Sequence, residues 1–179
     1  MVRSIRSIWS RFQKASDGIA AVEFALIAPV MIALFFASVE VSNILIVDRK
    51  VTTVTSAVAD LIAQDIELTD DELADVLAVA AALFEPFATD GLSITVSSVI
   101  DNGGTAEIDW SEDFQGGTSV GAGPNSLPTG ILTTGASVIV VEATYIHSTG
   151  VGYFLADEVT LEDIFYARPR RTPQVERVN

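Results

Sequence analysis

Residues 17–43 read DGIAAVEFALIAPVMIALFFASVEVSN, an apolar run that holds acids only at Asp17, Glu23 and Glu40. From Phe24 to Val39 there are 16 residues without a formal charge, about 24 Å of α-helix at ~1.5 Å per residue. That is short of a hydrocarbon core of ~30 Å. Continuing through Glu40, Ser42 and Asn43 to Val47 makes 24 residues and about 36 Å, enough to span with some tilt. Glu40 then has to sit near the far interface or against a partner. Glu23 has two readings: an ionisable group within a membrane segment, which costs on the order of 2.5–3.5 kcal/mol and calls for a partner, or an interfacial carboxylate that snorkels and favours the positive end of the helix dipole.

The 179 residues leave room for one modest domain beyond that segment. A hydrophobic share of 49% and a mean hydropathy of +0.43 are high for a chain wholly in water, as expected if part of it lies in lipid. With no cysteine, disulfides, thiolate metal sites and cysteine nucleophiles are excluded. The 24 acids outnumber 10 Lys and Arg for a net charge of −14. The cations sit at Arg3, Arg6, Arg11 and Lys14, at Arg49 and Lys50, and at Arg168, Arg170, Arg171 and Arg177, with none from Val51 to Ala167. Such an acidic body repels nucleic acid, while the front cluster suits anionic membrane lipid. The same cluster places the N-terminus in the cytoplasm and the rest across the membrane. A cleaved secretory signal is the competing reading, but the run is too long and lacks a small-x-small site at its end.

Reading outward from Gly18, a glycine after a basic leader is followed by IAAV, then Glu23, then Phe24. This resembles the processing site of type IV prepilin-like proteins. GIAAVEFALIAPVMIALFFASVEVSN is similar to the TadE-like pseudopilin family of the tight-adherence, or Flp pilus, machinery over roughly residues 11–45. The resemblance implies that a prepilin peptidase cuts between Gly18 and Ile19, that Glu23 and Phe24 serve assembly, and that Pro29 is a usual family feature. It implies as partners other pilus or pseudopilin subunits and an inner-membrane assembly platform, with the chain oligomeric in assembly. Cutting would leave an ammonium on Ile19, with an ordinary pKa of roughly 7.7–8.0, for which a Glu23 carboxylate on an adjacent subunit is a fitting partner. Desolvation offsets much of the Coulomb gain, so such a pair would set register more than strength. Without the resemblance, Pro29 is a mid-helix kink whose freed carbonyl a neighbour must satisfy.

Past the membrane, Val47, Val51, Val54, Val58, Leu61 and Ile62 recur at helical spacing. The stripe is β-branched, so packing must carry it, as core more readily than as a coiled-coil seam. Thr69 followed by Glu72 is a capping box, with Asp70 and Asp71 favoured by the dipole in the first turn. Leu73, Val76, Leu77, Ala80 and Leu83 then share a face, and Pro86 ends the helix near Glu85. Strands are expected at Leu92–Ile100, Thr105–Trp110, Ala136–His147 and Val159–Ala167, with Asn102-Gly103 marking a hairpin and Gln115–Gly130 a long loop. The expected fold is α+β, pilin-like: a long N-terminal transmembrane helix continuing into an ectodomain, where a short helix packs on a small antiparallel sheet. Its divisions are a basic leader (1–18), a transmembrane helix (19–47), an acidic ectodomain (48–167) and a basic tail (168–179).

Sites for chemistry are few. Asp101, Glu107, Asp109, Glu112 and Asp113 form an acidic region, but their spacing does not fit a calcium loop, and no metal is expected. His147, the sole histidine, has neither a G-x-S-x-G elbow nor a second histidine beside it, and GTSVGAG lacks the ending of a phosphate loop. No cofactor and no catalytic residue are expected. Arg168, Arg170 and Arg171 face an acidic body, so docking of the tail on its own or a neighbouring subunit, weakened by salt, is expected. The leading reading is a non-enzymatic, single-span inner-membrane component of a Flp-type assembly or secretion system with a periplasmic head. The alternative is an unprocessed membrane-anchored periplasmic interaction module, and an envelope hydrolase comes third.

Overall fold

The computed structural model describes residues 17–116, 127–150 and 157–178. The basic leader and most of the expected 115–130 loop therefore lie outside the described residues. The first helix, α1 (Asp17–Ile62), has 46 residues and includes Pro29, a length of about 69 Å. Its two halves differ in what surrounds them. Ile19, Phe24, Ile27, Met31, Leu34 and Phe35 are all exposed, and the most apolar 18-residue window, of mean hydropathy 2.4, has none of its residues buried. In the second half Val47, Val51, Val54, Val58 and Ile62 are fully or almost fully buried. The β-branched stripe is thus the spine of the head, and packing outweighs its modest helix propensity.

A two-residue strand β1 (Glu67–Leu68) leads to α2 (Asp70–Phe84). Thr69 caps α2 as its pattern requires: the Glu72 amide donates to Thr69 Oγ1 at 3.3 Å, and the Thr69 amide donates to Glu72 Oε2 at 2.9 Å. Val76, Ala80 and Phe84 are its buried face, and the C-cap is Glu85, before Pro86. At that end Lys50 Nζ donates to the Leu83 carbonyl at 3.0 Å, placing a cation from α1 where the α2 dipole is negative.

The strands β2 (Leu92–Asn102), β3 (Thr105–Phe114), β4 (Ser137–Ser148) and β5 (Glu158–Ala167) form one antiparallel sheet in the order β3-β2-β4-β5. Asn102 is still paired, with Thr105, so the turn centres on Gly103 and Gly104, at φ +67° and +95°. Both central residues need positive φ, as hairpin turns with the sheet's twist do. A register shift at Ser98/Val99 leaves Asp109 as the extra residue of β3 and interrupts the pairing of this edge strand. Leu92, Ile94, Val96, Ile139, Val141, Ala143 and Tyr145 pack against α1 and α2 in one core. The opposite face carries a smaller cluster of Val99, Val138 and Val140, with Leu127, Ile131 and Leu132 against it.

The last strand, β6 (Glu176–Arg177), pairs in parallel with β1. The tail thus crosses the end of α1: the Arg170 amide donates to the Ala63 carbonyl at 2.8 Å, and the Ser137 amide to the Pro173 carbonyl at 2.8 Å. Val175 is completely buried in the core. The molecule is α+β, a long apolar N-terminal helix followed by a short helix and a four-stranded antiparallel sheet packed against it.

Candidate functional site on the first helix

Gly18, Ile19, Glu23, Phe24 and Pro29 all lie on the exposed half of α1. Around Gly18, a Cβ would meet nothing within 4 Å, so among the described residues nothing packs over this position. Ile19 is 62% exposed, and Glu23 stands one turn later on the same face, since residues four apart are stacked along a helix. Glu23 is exposed too. Pro29 is accommodated within a continuous helix although it offers no amide to the residue four before it.

Glu40 has a different fate. It is only 4% exposed, sealed by the base of the β4–β5 connection. The Gly150 amide donates to Glu40 Oε1 at 3.3 Å, and His147 Nε2 lies 3.6 Å from the same oxygen. Thr149 closes that base through its amide, which donates to the Asp157 carbonyl at 3.0 Å. Sequence reasoning asked for a partner to Glu40 and left it unnamed. A lone acid and a lone histidine were the available signal, but nothing local joins positions 107 residues apart.

The tail arginines have specific partners. Arg168 donates from Nε to the Ile131 carbonyl at 3.0 Å and from Nη2 to the Gly130 carbonyl at 3.0 Å. Arg170 pairs with Asp60 on the last turn of α1, which has no basic residue of its own, and Arg171 acts on Asp65 through its charge. A further enclosed cation is Arg177, not singled out from the sequence: its side chain is 12% exposed and pairs with Asp70 and Glu112. It also donates to the Leu68 carbonyl at 3.0 Å, and its pKa is raised further, chiefly by the hydrogen bond to Asp70.

The acids considered for calcium are dispersed onto separate partners. Asp101 accepts from the Gly104 amide and from Thr134, Glu107 from Asn102, and Asp113 from Thr95. Among the described residues no three His, Asp or Glu side chains are grouped to hold an ion.

What stands out chemically is therefore α1 itself, a helix long and apolar enough to cross a membrane with an acid near its start and a sealed acid where the head begins. No curated protein and no solved structure matches the chain. One family model does, described as TadE-like protein, over residues 18–60. The matched stretch begins at Gly18 and ends two residues before α1 does, so it takes in the exposed half and the core stripe as far as Val58 and excludes the sheet. Residues 18–60 of this chain are a TadE-like family domain.

Proposed function

We propose that this chain is a minor pseudopilin-like component of a bacterial Flp, or tight-adherence, pilus assembly or secretion system, acting through helix packing and protein contacts rather than catalysis. The carrying observation is the bare apolar half of α1, with Glu23 exposed one turn from Ile19, inside a TadE-like domain. In this reading a prepilin peptidase cuts between Gly18 and Ile19, and the new ammonium meets Glu23 of an adjacent subunit. Phe24 and Pro29 lie in the packing surface. The acidic head faces the periplasm and the leader the cytoplasm.

The span is proposed to run from Ile19 to Val39. Because Glu40 is buried by the head and Val47 lies fully within it, this reading places the far edge of the membrane before Glu40. The 21 residues from Ile19 to Val39 give about 32 Å of helix, a close match to a ~30 Å hydrocarbon core. The contact with the assembly platform would then be made by the helix in the membrane and by the head just above it.

The deciding experiment is the intact mass and N-terminal residue of the protein from native membranes, alone and with Glu23→Gln. A chain starting at Ile19 supports the reading. A chain that keeps residues 1–17 favours the unprocessed interaction module. Glu23→Gln should leave subunits that insert but fail to mature or to co-purify with their assembly partners, and wild-type behaviour would remove Glu23 from the proposal.

A further inference from the structure

Where α1 passes from its bare half to its packed half, two independent features meet. The first is a weakened helical ladder. Ser38 Oγ donates to the Phe35 carbonyl at 2.7 Å, and Ser42 Oγ donates to the Ser38 carbonyl at 2.8 Å. Serine hydroxyls that bond back to carbonyls three or four residues earlier compete with the backbone amides and bend helices. Both serines are exposed, so no packing holds this turn straight from their side.

The second feature is Glu40, midway between them and turned into the head. It is the first residue of α1 that the head buries. One oxygen accepts from the Gly150 amide and faces the His147 imidazole, on a strand end fixed by the β4–β5 pairing of His147 with Val159. Removed from this seat, the carboxylate would lie at the edge of a lipid phase, where a charge is costly. Seated, it ties the Ser38–Ser42 turn, which lies outside the packed half of α1 where Thr53 and Thr55 make similar back-bonds, to the end of β4 at His147.

We infer that Ser38–Ser42 is a joint in α1 and that Glu40, held by His147 and the Gly150 amide, is the clasp that keeps the joint straight. The clasp fixes the angle between the membrane helix and the head, and opening it lets the head tilt while the core stripe from Val47 to Ile62 stays intact. A subunit could thereby present its head at one angle when alone and at another when neighbours crowd it. The inference concerns the head and α1 irrespective of cleavage at Gly18. It rests on the anchor reading only for the meaning of the tilt.

The absence of cysteine makes the test clean. Spin labels are placed at Leu34→Cys, on the bare half, and Asp109→Cys, on β3, both exposed. The distance distribution is recorded by pulsed electron resonance on the full chain in detergent micelles, with amide exchange in β2 and β4 reporting that the head is folded. Glu40→Ala should at least double the width of the distribution, and His147→Gln and Glu40→Gln should widen it less. Adding Ser38→Ala and Ser42→Ala to Glu40→Ala should restore the original width, because the ladder is stiffened without the clasp. An unchanged width in Glu40→Ala, a wild-type distribution already broad, or no narrowing by the serine replacements would each overturn the inference. Unfolding of the head in both Glu40 variants would also overturn it, making Glu40 a core residue. Flotation with liposomes reports separately on the anchor, so failure of one reading is distinguishable from failure of the other.

Discussion

Glu23 and Glu40 are the same residue on the same helix, and their surroundings give them opposite work. Glu23 is left exposed, open to lipid or, in the proposed reading, to another subunit. Glu40 is enclosed by its own head, where one amide and one imidazole offset part of the desolvation. Arg177 shows the same logic with the sign reversed. Its guanidinium is nearly covered and ties β6 to Glu112, Asp70 and the Leu68 carbonyl. Asp70 is largely exposed, so water screens that contact and the other two dominate. Arg177→Ala should cost about 1–2 kcal/mol, toward the low end for lost bonds to a charged group, because the Leu68 carbonyl keeps the Val178 amide and Glu112 is reached by water. A urea unfolding curve of the full chain in micelles would read it as a lower midpoint, whereas an unchanged midpoint would mean that the strand pairing alone holds the tail.

Among the elements, α2 and the tail carry the sharpest expectations. The Glu72 carboxyl is held below its ordinary 4.5, first by the hydrogen bond from the Thr69 amide and then by the Thr69 hydroxyl. A lowered acid stabilises the folded form above its unfolded pKa and loses that contribution as pH falls through the folded value. The first turn of α2 should therefore fray below about pH 4.5, seen as faster amide exchange there. Glu72→Gln, which also completes a capping box, should flatten that dependence. Asp65 works the other way, raised first by burial and then by Glu72. Its protonation on acidification returns part of what Glu72 loses, so the fraying should stay local. The tail is held in a different manner, by a buried side chain and by backbone. Val175→Ala should cost about 2 kcal/mol from lost burial and the space left behind. Arg170→Ala should cost less than about 1 kcal/mol, because the Arg170–Asp60 pair is exposed. Salt should accordingly do little to the docked tail, in contrast to a tail held by exposed charge, and its release by salt would show that Val175 and the Trp110 Nε1 bond to the Val175 carbonyl at 2.9 Å contribute less than their burial implies.

At the scale of the whole molecule, the chain divides into a helix half whose apolar side chains are bare and a head with a packed core. What the sequence by itself determined lies in patterns that repeat over a few residues. The apolar run, the Val47–Ile62 stripe, the Thr69 capping box and the alternating strands each specify their own conformation through a local period or a local hydrogen bond, and all are present in the structure. The glycine before an apolar run with Glu23 five residues later was equally legible, and it lies at the start of the TadE-like match. The turn at Gly103-Gly104 was legible as a turn, though not its centring, because the register of β2 against β3 fixes which residues remain paired. Only the tertiary structure decided that Glu40 belongs to His147 and Gly150, that Arg177 reaches Asp70 and Glu112, and that a tail with a weak strand pattern supplies Val175 to the core. Each of these joins positions 65 to 110 apart. Such contacts depend on where the sheet order and the crossing of the tail over α1 bring the chain back, and a two-residue parallel strand or a single acid in an apolar run carries no periodicity from which that return can be read.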